Sequence, residues 1–170
     1  MPEIWLSSGK LPKASGNGGI LVDSARGDAS YAQMYRTGSG VAQSIPTGTA
    51  WTKLTPFTAN SNAFDSTPDH ANDRIVIGRA GQYKVTFTRS FDVGTANTTW
   101  KSTVLKNGSE WAPSTQQVKM LNATTSTYAC TSCQISCAAG DVLTIGVQHD
   151  NASSVNVTHA FATLSVEAVD

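Results

Sequence analysis

The fold is decided by one stretch of the chain, Tyr83-Lys84-Val85-Thr86-Phe87-Thr88-Arg89-Ser90-Phe91-Asp92-Val93. Its apolar side chains at Tyr83, Val85, Phe87, Phe91 and Val93 fall on one face of an extended backbone, with polar residues between them. This period-two alternation is typical of a strand with one buried side. Because no segment of the sequence shows a sustained helical period, the stretch predicts an all-β protein.

Short candidate strands and turn signals continue on both sides of this stretch. Residues 51–57 follow a turn at 46–48, residues 74–77 precede a turn at 78–81, and residues 142–147 follow a turn at 139–141. Residues 100–105 lead into Asn107-Gly108, which favours a two-residue hairpin turn. Roughly eight to ten short strands at this spacing, closed by a strand passage over 155–169, predict a sandwich or barrel.

Composition limits the partners of this domain. The 170 residues can bury a core without a disulfide or a metal. Only 14% of them are charged, and 12 basic residues balance 12 acidic ones. A neutral surface argues against nucleic acid and acidic membranes as partners, and it does little to keep copies of the chain apart. The first residues lack a basic start and a long apolar run, so we expect synthesis in a cytoplasm.

Residues 1–30 differ from the rest of the chain. Two apolar clusters flank a Gly/Ser/Pro-rich segment that costs too much ordering entropy to fold alone. One interpretation is an extended arm that is ordered on a partner; the other is a flexible tail with one edge strand. The predicted arm contacts are Ile4, Trp5, Leu6, Ile20, Leu21 and Val22. The second unit, residues 31–170, is the predicted β domain.

Several motifs in that domain occur in a familiar order. They are Ala80-Gly81-Gln82-Tyr83 at the start of the long strand, residues 104–109, residues 138–143, and a closing strand that holds Phe161. Over about residues 45–170 this order resembles the C1q/TNF-like jelly roll. Residues 51–57 and 71–75 resemble more narrowly the C1q-type domains of bacteriophage structural proteins. The resemblance implies a jelly-roll sandwich of about ten strands and a compact homotrimer.

In phages, domains of this kind resemble head decoration (cement) proteins, head fibres or parts of tail fibres. The sequence therefore favours a capsid decoration protein on the virion surface whose partners are other copies of itself and the major capsid protein. The alternative is a receptor-binding module of a tail or head fibre that recognises host-surface glycans. A fibre usually carries a long shaft, and we expect none in a chain of an arm and one domain. Fold alone does not fix function.

The three cysteines, Cys130, Cys133 and Cys137, have a spacing that superficially suggests zinc. On an extended strand, however, Cys133 and Cys137 share one face and Cys130 lies on the other. A tetrahedral site also needs a fourth ligand, and no histidine stands at a usable spacing. We therefore predict free thiols and no resident metal or other cofactor.

The three histidines, His70, His149 and His159, are scattered along the chain. A Ser/His/Asp triad would need an activated serine, and the sequence has no Gly-x-Ser-x-Gly motif. We predict that the protein is not an enzyme and that the histidines are solvated or lie in trimer contacts.

Two short motifs have simpler interpretations. Asp65, Asp69 and Asp73 share one loop, which lacks the spacing of a calcium-binding loop, so a solvated turn is predicted with calcium as the alternative. Arg26-Gly27-Asp28 matches a tripeptide that some integrins bind, but next to a glycine-rich segment it favours a turn.

The aromatic residues fall into two groups. Most lie on candidate strands and are predicted mainly to belong to the core: Trp51, Phe57, Tyr83, Phe87, Phe91, Trp100 and Phe161. Trp5 lies in the arm and Trp111 follows a hairpin turn, so both are candidate anchors for a partner surface. Trp111 in particular could stack on a sugar ring.

Overall fold

The computed structural model describes residues 30–38, 41–93, 95–122 and 126–169. In chain order the strands are β1 (Tyr31–Arg36), β2 (Val41–Ile45), β3 (Thr52–Lys53), β4 (Ala59–Asn60), β5 (Thr67–Asp69), β6 (Arg74–Val76), β7 (Gly81–Val93), β8 (Thr98–Lys106), β9 (Ser109–Glu110), β10 (Gln116–Met120), β11 (Ser126–Cys137), β12 (Val142–His149), β13 (Val155–His159) and β14 (Ala162–Val169). Two single-turn 3-10 helices lie at His70–Asn72 and Ala112–Ser114. These described ranges contain no α-helix, which confirms the predicted all-β fold, and no helix in them is long and apolar enough to cross a membrane.

The strands form two antiparallel seven-stranded sheets. Sheet I has the order β2-β13-β7-β14-β1-β4, and β11 also pairs with β7. Sheet II has the order β10-β8-β12-β6-β5, with β3 paired to β12 and β9 to β8. The apolar faces of the two sheets pack on each other, which gives the predicted jelly-roll sandwich.

The strand predicted from residues 83–93 is the centre of sheet I. On one side it pairs with β11, and on the other it pairs first with β14 and then, at its end, with β13. Tyr83, Val85 and Phe87 are completely buried, which confirms their shared inward face. The side chains of Phe91 and Val93 lie outside the described part of the structure.

The core lies between the sheets and is almost wholly aliphatic and aromatic. Facing Tyr83, Val85 and Phe87 across the sandwich are fully buried side chains of sheet II, Ile75, Trp100, Val104, Leu143, Ile145 and Val147. Burying one such side chain contributes roughly 1.5–3 kcal/mol, so the domain needs no covalent cross-link to fold.

The predicted hairpin turn is present between β8 and β9. Asn107 and Gly108 both adopt left-handed backbone angles, with φ of 52° and 80°. That pair of angles belongs to a type I′ turn, whose twist matches the flanking strands. Gly140, at a φ of 87°, forms the predicted turn before β12.

Residues 51–57 form less strand than the sequence predicted. Thr52 and Lys53 pair with β12, the Leu54 N–H donates to the Ile145 carbonyl of the same strand (2.8 Å), and the chain then becomes irregular. Pro56 has no N–H to donate. The N–H of Thr55 donates to Gln43 Oε1 (3.0 Å) and that of Phe57 to Asp73 Oδ1 (2.5 Å), so side chains replace the partner strand.

Candidate interaction face

The side of sheet I that points away from the core forms one broad surface. Strands β1, β14, β7 and β11 place every second residue on this side, while the intervening residues point into the sandwich. Strand register aligns the outward residues in three rows, Tyr31-Glu167-Lys84-Gln134, Gln33-Ser165-Thr86-Ser132 and Tyr35-Thr163-Thr88-Cys130. We call these side chains the outer face of sheet I.

Most of the outer face of sheet I is uncharged, and half of its side chains are serine, threonine or cysteine. Lys84 and Glu167, neighbours in the first row, are its charged members. In the middle row Thr86 Oγ1 donates to Ser132 Oγ (3.3 Å), and Ser165 Oγ donates to the Thr86 carbonyl (3.3 Å). Because these hydroxyls have partners within the sheet, covering them would leave few polar groups unsatisfied.

Large apolar side chains stand at the ends of this face. Tyr31 and Phe64 (41% and 57% exposed) stack with their ring centroids 6.5 Å apart. At the opposite end Phe161 and Tyr128 (54% and 71% exposed) stand on either side of Ser90. Val169 continues the outward positions of β14. Among the exposed large hydrophobic side chains of the described ranges, only Leu121 lies neither on this face nor at its ends.

The backbone holds both aromatic pairs firmly. Tyr31 and Phe64 exchange two main-chain hydrogen bonds, each 2.9 Å long. The Ser90 N–H donates to the Phe161 carbonyl (2.8 Å), and the Phe161 N–H donates to Ser90 Oγ (2.9 Å). Since these contacts fix the main chain beneath the rings, little backbone ordering remains to be lost when a partner covers them.

In sheet II the segment after the hairpin turn is held beside β8. Residues 109–115 follow this strand, where the Val104 N–H donates to Ser114 Oγ (2.8 Å) and Thr103 Oγ1 donates to the Trp111 carbonyl (3.2 Å). Trp111 is half-buried and packs against the core instead of standing exposed. Its role as a surface anchor stays a prediction.

The prediction that the histidines are solvated or lie in contacts between chains is wrong for two of them. His149 and His159 are buried in the sandwich. The His149 ring lies 5.0 Å from Trp100, and its Nε2 is 3.0 Å from the Ile45 carbonyl oxygen. Each histidine ends a strand whose alternate residues point inward, so the pleat carries it into the core. His70 is half-buried.

Two arginines are also buried between the sheets. Arg89 Nε donates to Ser102 Oγ, and Arg36 Nη1 donates to the Pro56 carbonyl oxygen (2.8 Å). Burial lowers the pKa of Arg89 to about 9, so its guanidinium is still charged at neutral pH. Both side chains come from the inward positions of sheet I.

The cysteines lie as the strand pattern predicted. Cys130 is exposed on the outer face of sheet I, while Cys133 and Cys137 are on the inward side of β11. Burial raises the pKa of Cys133, and it raises that of Cys137 to about 11. The three thiols are therefore divided between two sides of one strand.

The three aspartates of the candidate calcium loop have separate partners. Asp65 Oδ2 lies 3.5 Å from Arg79 Nε, Asp69 accepts from Arg74 Nε (3.0 Å), and Asp73 accepts from a buried main-chain N–H. In the part of the chain that the structure describes, no three His, Cys, Asp or Glu side chains are grouped as metal ligands. The solvated-turn interpretation fails for Asp73, which is buried.

Other predicted positions fall outside the described residues. These are the arm contacts Ile4, Trp5, Leu6, Ile20, Leu21 and Val22, together with Arg26-Gly27-Asp28. The predicted core position of Phe161 is wrong, because its side chain is exposed. The sequence could have shown this, because alternate residues of a strand point to opposite sides and Phe161 is an odd number of residues from the inward-pointing Leu164 and Val166.

Comparison with known proteins supports the fold. No protein-family model matches the sequence, and no curated protein matches it. The structure is similar to the globular domain of zebrafish complement 1qA protein, with a TM-score of 0.54 and 9% identity over 83% of this chain and 98% of that one. It is also similar to Eiger TNF from S. frugiperda, with a TM-score of 0.53 and 10% identity over 82% of this chain and 92% of that one. These similarities confirm the predicted C1q/TNF-like jelly-roll fold.

Proposed function

We propose that the protein is a non-catalytic structural protein that assembles as a homotrimer through the outer face of sheet I. The observation that carries the proposal is the concentration of exposed Tyr31, Phe64, Tyr128, Phe161 and Val169 on or beside one nearly uncharged face. Exposed aromatic side chains grouped around one surface mark an interaction site, because interfaces are enriched in aromatic residues and depleted of charge at their centre.

The size of the face supports contact with another folded surface. Four strands about 4.8 Å apart and three rows about 7 Å apart cover roughly 400 Å² before the flanking aromatic rings are added. A standard interface buries about 800 Å² on each partner. In a ring, each copy contributes the face and a second, different surface, so the total contact is larger than the face alone. The number three rests on the resemblance of the motifs to C1q/TNF-like domains.

Light scattering of the purified chain over a range of concentrations tests the assembly. We expect about three chains per particle. A monomer throughout the micromolar range would contradict the proposal.

The proposed place of this trimer is the surface of a bacteriophage capsid, where it acts as a decoration protein. The likeness of residues 51–57 and 71–75 to C1q-type domains of phage structural proteins supports this step. The jelly rolls would form a knob, and three N-terminal arms would contact neighbouring copies of the major capsid protein. Several weak contacts acting together give strong attachment by avidity.

Removal of the arm tests the capsid proposal separately from trimer formation. A chain that begins at Ala29 should remain a soluble trimer but lose attachment to capsids. Trp5→Ala in the full chain should weaken attachment, because a buried tryptophan is a frequent interface hot spot. Undiminished decoration by the shortened chain would contradict the proposed arm.

A glycan-binding module of a phage fibre is the second candidate. The exposed Tyr31–Phe64 stack favours it, because sugar rings pack on flat aromatic side chains. Binding to host-surface polysaccharide that is lost in Phe64→Ala while the trimer persists would favour this function over decoration.

A further inference from the structure

The outward side of sheet II carries a recess at the end of β12, with a volume of about 90 Å³. Lys101 of β8 and Gln148 of β12 are cross-strand neighbours there, and both point outward because the residues next to them, Trp100 and His149, are buried between the sheets. The recess is larger than a single water molecule requires. Its lining includes Gly48, Thr49, Thr99, Lys101, Gln148 and Asp150.

Trp51 stands beside this recess. Strand β3 pairs with β12, and one step further along the same register Trp51 comes opposite Gln148. The core prediction for Trp51 is wrong, because its side chain is half-buried and its Nε1 donates to Glu110 Oε2 of β9 (3.0 Å). Since β12 and β8 lie between β3 and β9 in the sheet, the two side chains meet above the outward side of these strands. An aromatic ring therefore forms part of this surface.

The indole of Trp51 is held in place by hydrogen bonds within the protein. Glu110 accepts from Trp51 through Oε2 and from Thr115 Oγ1 through Oε1 (2.7 Å). These bonds, first that from Thr115, and then the charge of Lys101 lower the pKa of Glu110, so the group is a carboxylate at neutral pH. An aromatic ring that its neighbours already fix loses little freedom when a ligand covers it.

The polar groups of the recess require both kinds of hydrogen-bond partner. Gln148 Oε1 is buried and, within the described ranges, accepts no hydrogen bond. Asp150 Oδ1 accepts from the Thr99 N–H (2.7 Å), and hydrogen bonds with Thr99 lower the pKa of Asp150, so its ionised carboxylate has further lone pairs to offer. Lys101 brings an ammonium donor to the same place. A ligand that fits must therefore donate to the amide and carboxylate oxygens and accept from Lys101 Nζ.

Charges of both signs surround the recess. Lys101 and Lys119 point outward from β8 and β10, and the carboxylates of Glu110 and Asp150 balance them. Lys53 is directed elsewhere, because its Nζ donates to a main-chain carbonyl oxygen of the first 3-10 helix (2.9 Å). Since the positive and negative groups offset each other, the site does not select a strongly charged ligand. It suits a neutral molecule with several hydroxyl groups.

We propose that this recess and Trp51 form a binding site for a neutral hexose unit of a glycan. Adjacent ring hydroxyls, each of which both donates and accepts, bond to Gln148 Oε1, the Asp150 carboxylate and Lys101 Nζ, while the apolar face of the sugar ring packs on the indole. Concave sites with a few convergent polar groups and an aromatic wall are typical of small-ligand binding. The site lies on sheet II, so it goes beyond the proposed trimer and is separate from the stack at Phe64.

Nuclear magnetic resonance of the isotope-labelled full chain tests the site. The probes are methyl glucoside, methyl mannoside, methyl galactoside and N-acetylglucosamine, each added to about 50 mM, so that a dissociation constant on the order of 1–10 mM is measured. We expect at least one of them to shift the indole N–H signal of Trp51 and the side-chain amide signals of Gln148 in a saturable way. The indole signal of Trp100, which is buried between the sheets, should stay in place.

Variants of the full chain separate this site from the rest of the protein. Trp51→Ala should weaken binding of that sugar about tenfold, because the stacking ring is lost, and Gln148→Ala about fivefold, because one acceptor is lost. Phe64→Ala, the same kind of change at an exposed aromatic residue beside sheet I, should leave the affinity unchanged. Trp51→Ala and Gln148→Ala should keep the assembly state of the natural chain in light scattering, so failure of the trimer and failure of this site are measured separately.

Three results would overturn the proposal. The first is that none of the four sugars gives a saturable shift, which would mean that the recess holds only water. The second is that Trp51→Ala and Gln148→Ala bind the sugar as tightly as the natural chain, and the third is that the affinity is lost in Phe64→Ala instead. If Trp51→Ala does not fold, Gln148→Ala decides, because its side chain points outward and its Oε1 accepts no hydrogen bond from the described part of the chain.

Discussion

A charge placed at the centre of the outer face of sheet I should prevent assembly without unfolding the protein. Thr86 lies in the middle row, between Ser165 and Ser132 on the neighbouring strands. Thr86→Asp replaces a hydroxyl with a carboxylate of similar size, which is solvated in a single copy. Loss of the exposed 3.3 Å contact with Ser132 and of a β-branched side chain should cost at most about 1 kcal/mol of fold stability.

The effect on the trimer should be much larger. A carboxylate that is covered without a partner costs about 3 kcal/mol per contact, or about 9 kcal/mol for three equivalent contacts. That total raises the trimer dissociation constant about four-million-fold. The concentration at which half of the chains are assembled varies as the square root of this constant, so it should rise about 2,000-fold.

Sedimentation velocity over a concentration series measures the concentration at which half of the chains are assembled, and urea unfolding in parallel measures the stability of the fold. The matched control is Thr67→Asp, which makes the same change at an exposed position of the short strand β5 in sheet II. The control should assemble like the natural chain. A folded Thr86→Asp protein that assembles at the same concentration as the natural chain would refute a contact through this face.

Two further predictions concern the stability of the fold. Asp141→Ala removes hydrogen bonds from the Asn107 side chain (2.7 Å) and the Ala138 N–H (2.8 Å) and an ion pair with Lys106, so we expect a loss of about 2 kcal/mol in urea unfolding at pH 7. Hydrogen bonds, first from Lys106, lower the pKa of Asp141 to about 2, so its contribution should fade as the pH drops from 3.8 towards 2; a pH-independent difference would contradict this. Gly146→Ala should cost about 1–3 kcal/mol, because the new Cβ would lie 2.8 Å from Leu105 Cγ. In a Leu105→Ala background the same change should cost less, and strictly additive unfolding energies would argue against the clash.

The fold was predictable because strand parity and turn chemistry agree. The alternation through Tyr83, Val85 and Phe87 gave the central strand and its buried side, and Asn107-Gly108 gave the hairpin. Residues 55–57 were harder to predict, because the side chains of Gln43 and Asp73, distant in sequence, accept from the N–H groups of Thr55 and Phe57. Such long-range bonds leave no local pattern in the sequence.

The sequence analysis did not predict most of the candidate interaction face, although the alternation of residues along each strand indicates part of it. Tyr31 and Tyr35 are out of phase with the buried Ala32 and Met34, and Phe161 is out of phase with Leu164. Phe161 was assigned to the core because it is aromatic. Its position along the strand, odd or even relative to the buried residues, would have placed it on the outward side of the sheet. The alignment of four strands into rows depends on register, which the sequence alone does not supply.

The two sides of the sandwich also differ in what they offer to another copy of the chain. The outer face of sheet I is nearly uncharged, whereas Lys101 and Lys119 stand at outward positions of β8 and β10 in sheet II. Back-to-front stacking would press these lysines against a face that has few charges to pair with them, and removing them from water is costly. The charge on sheet II therefore disfavours the repeated contact that would build a filament.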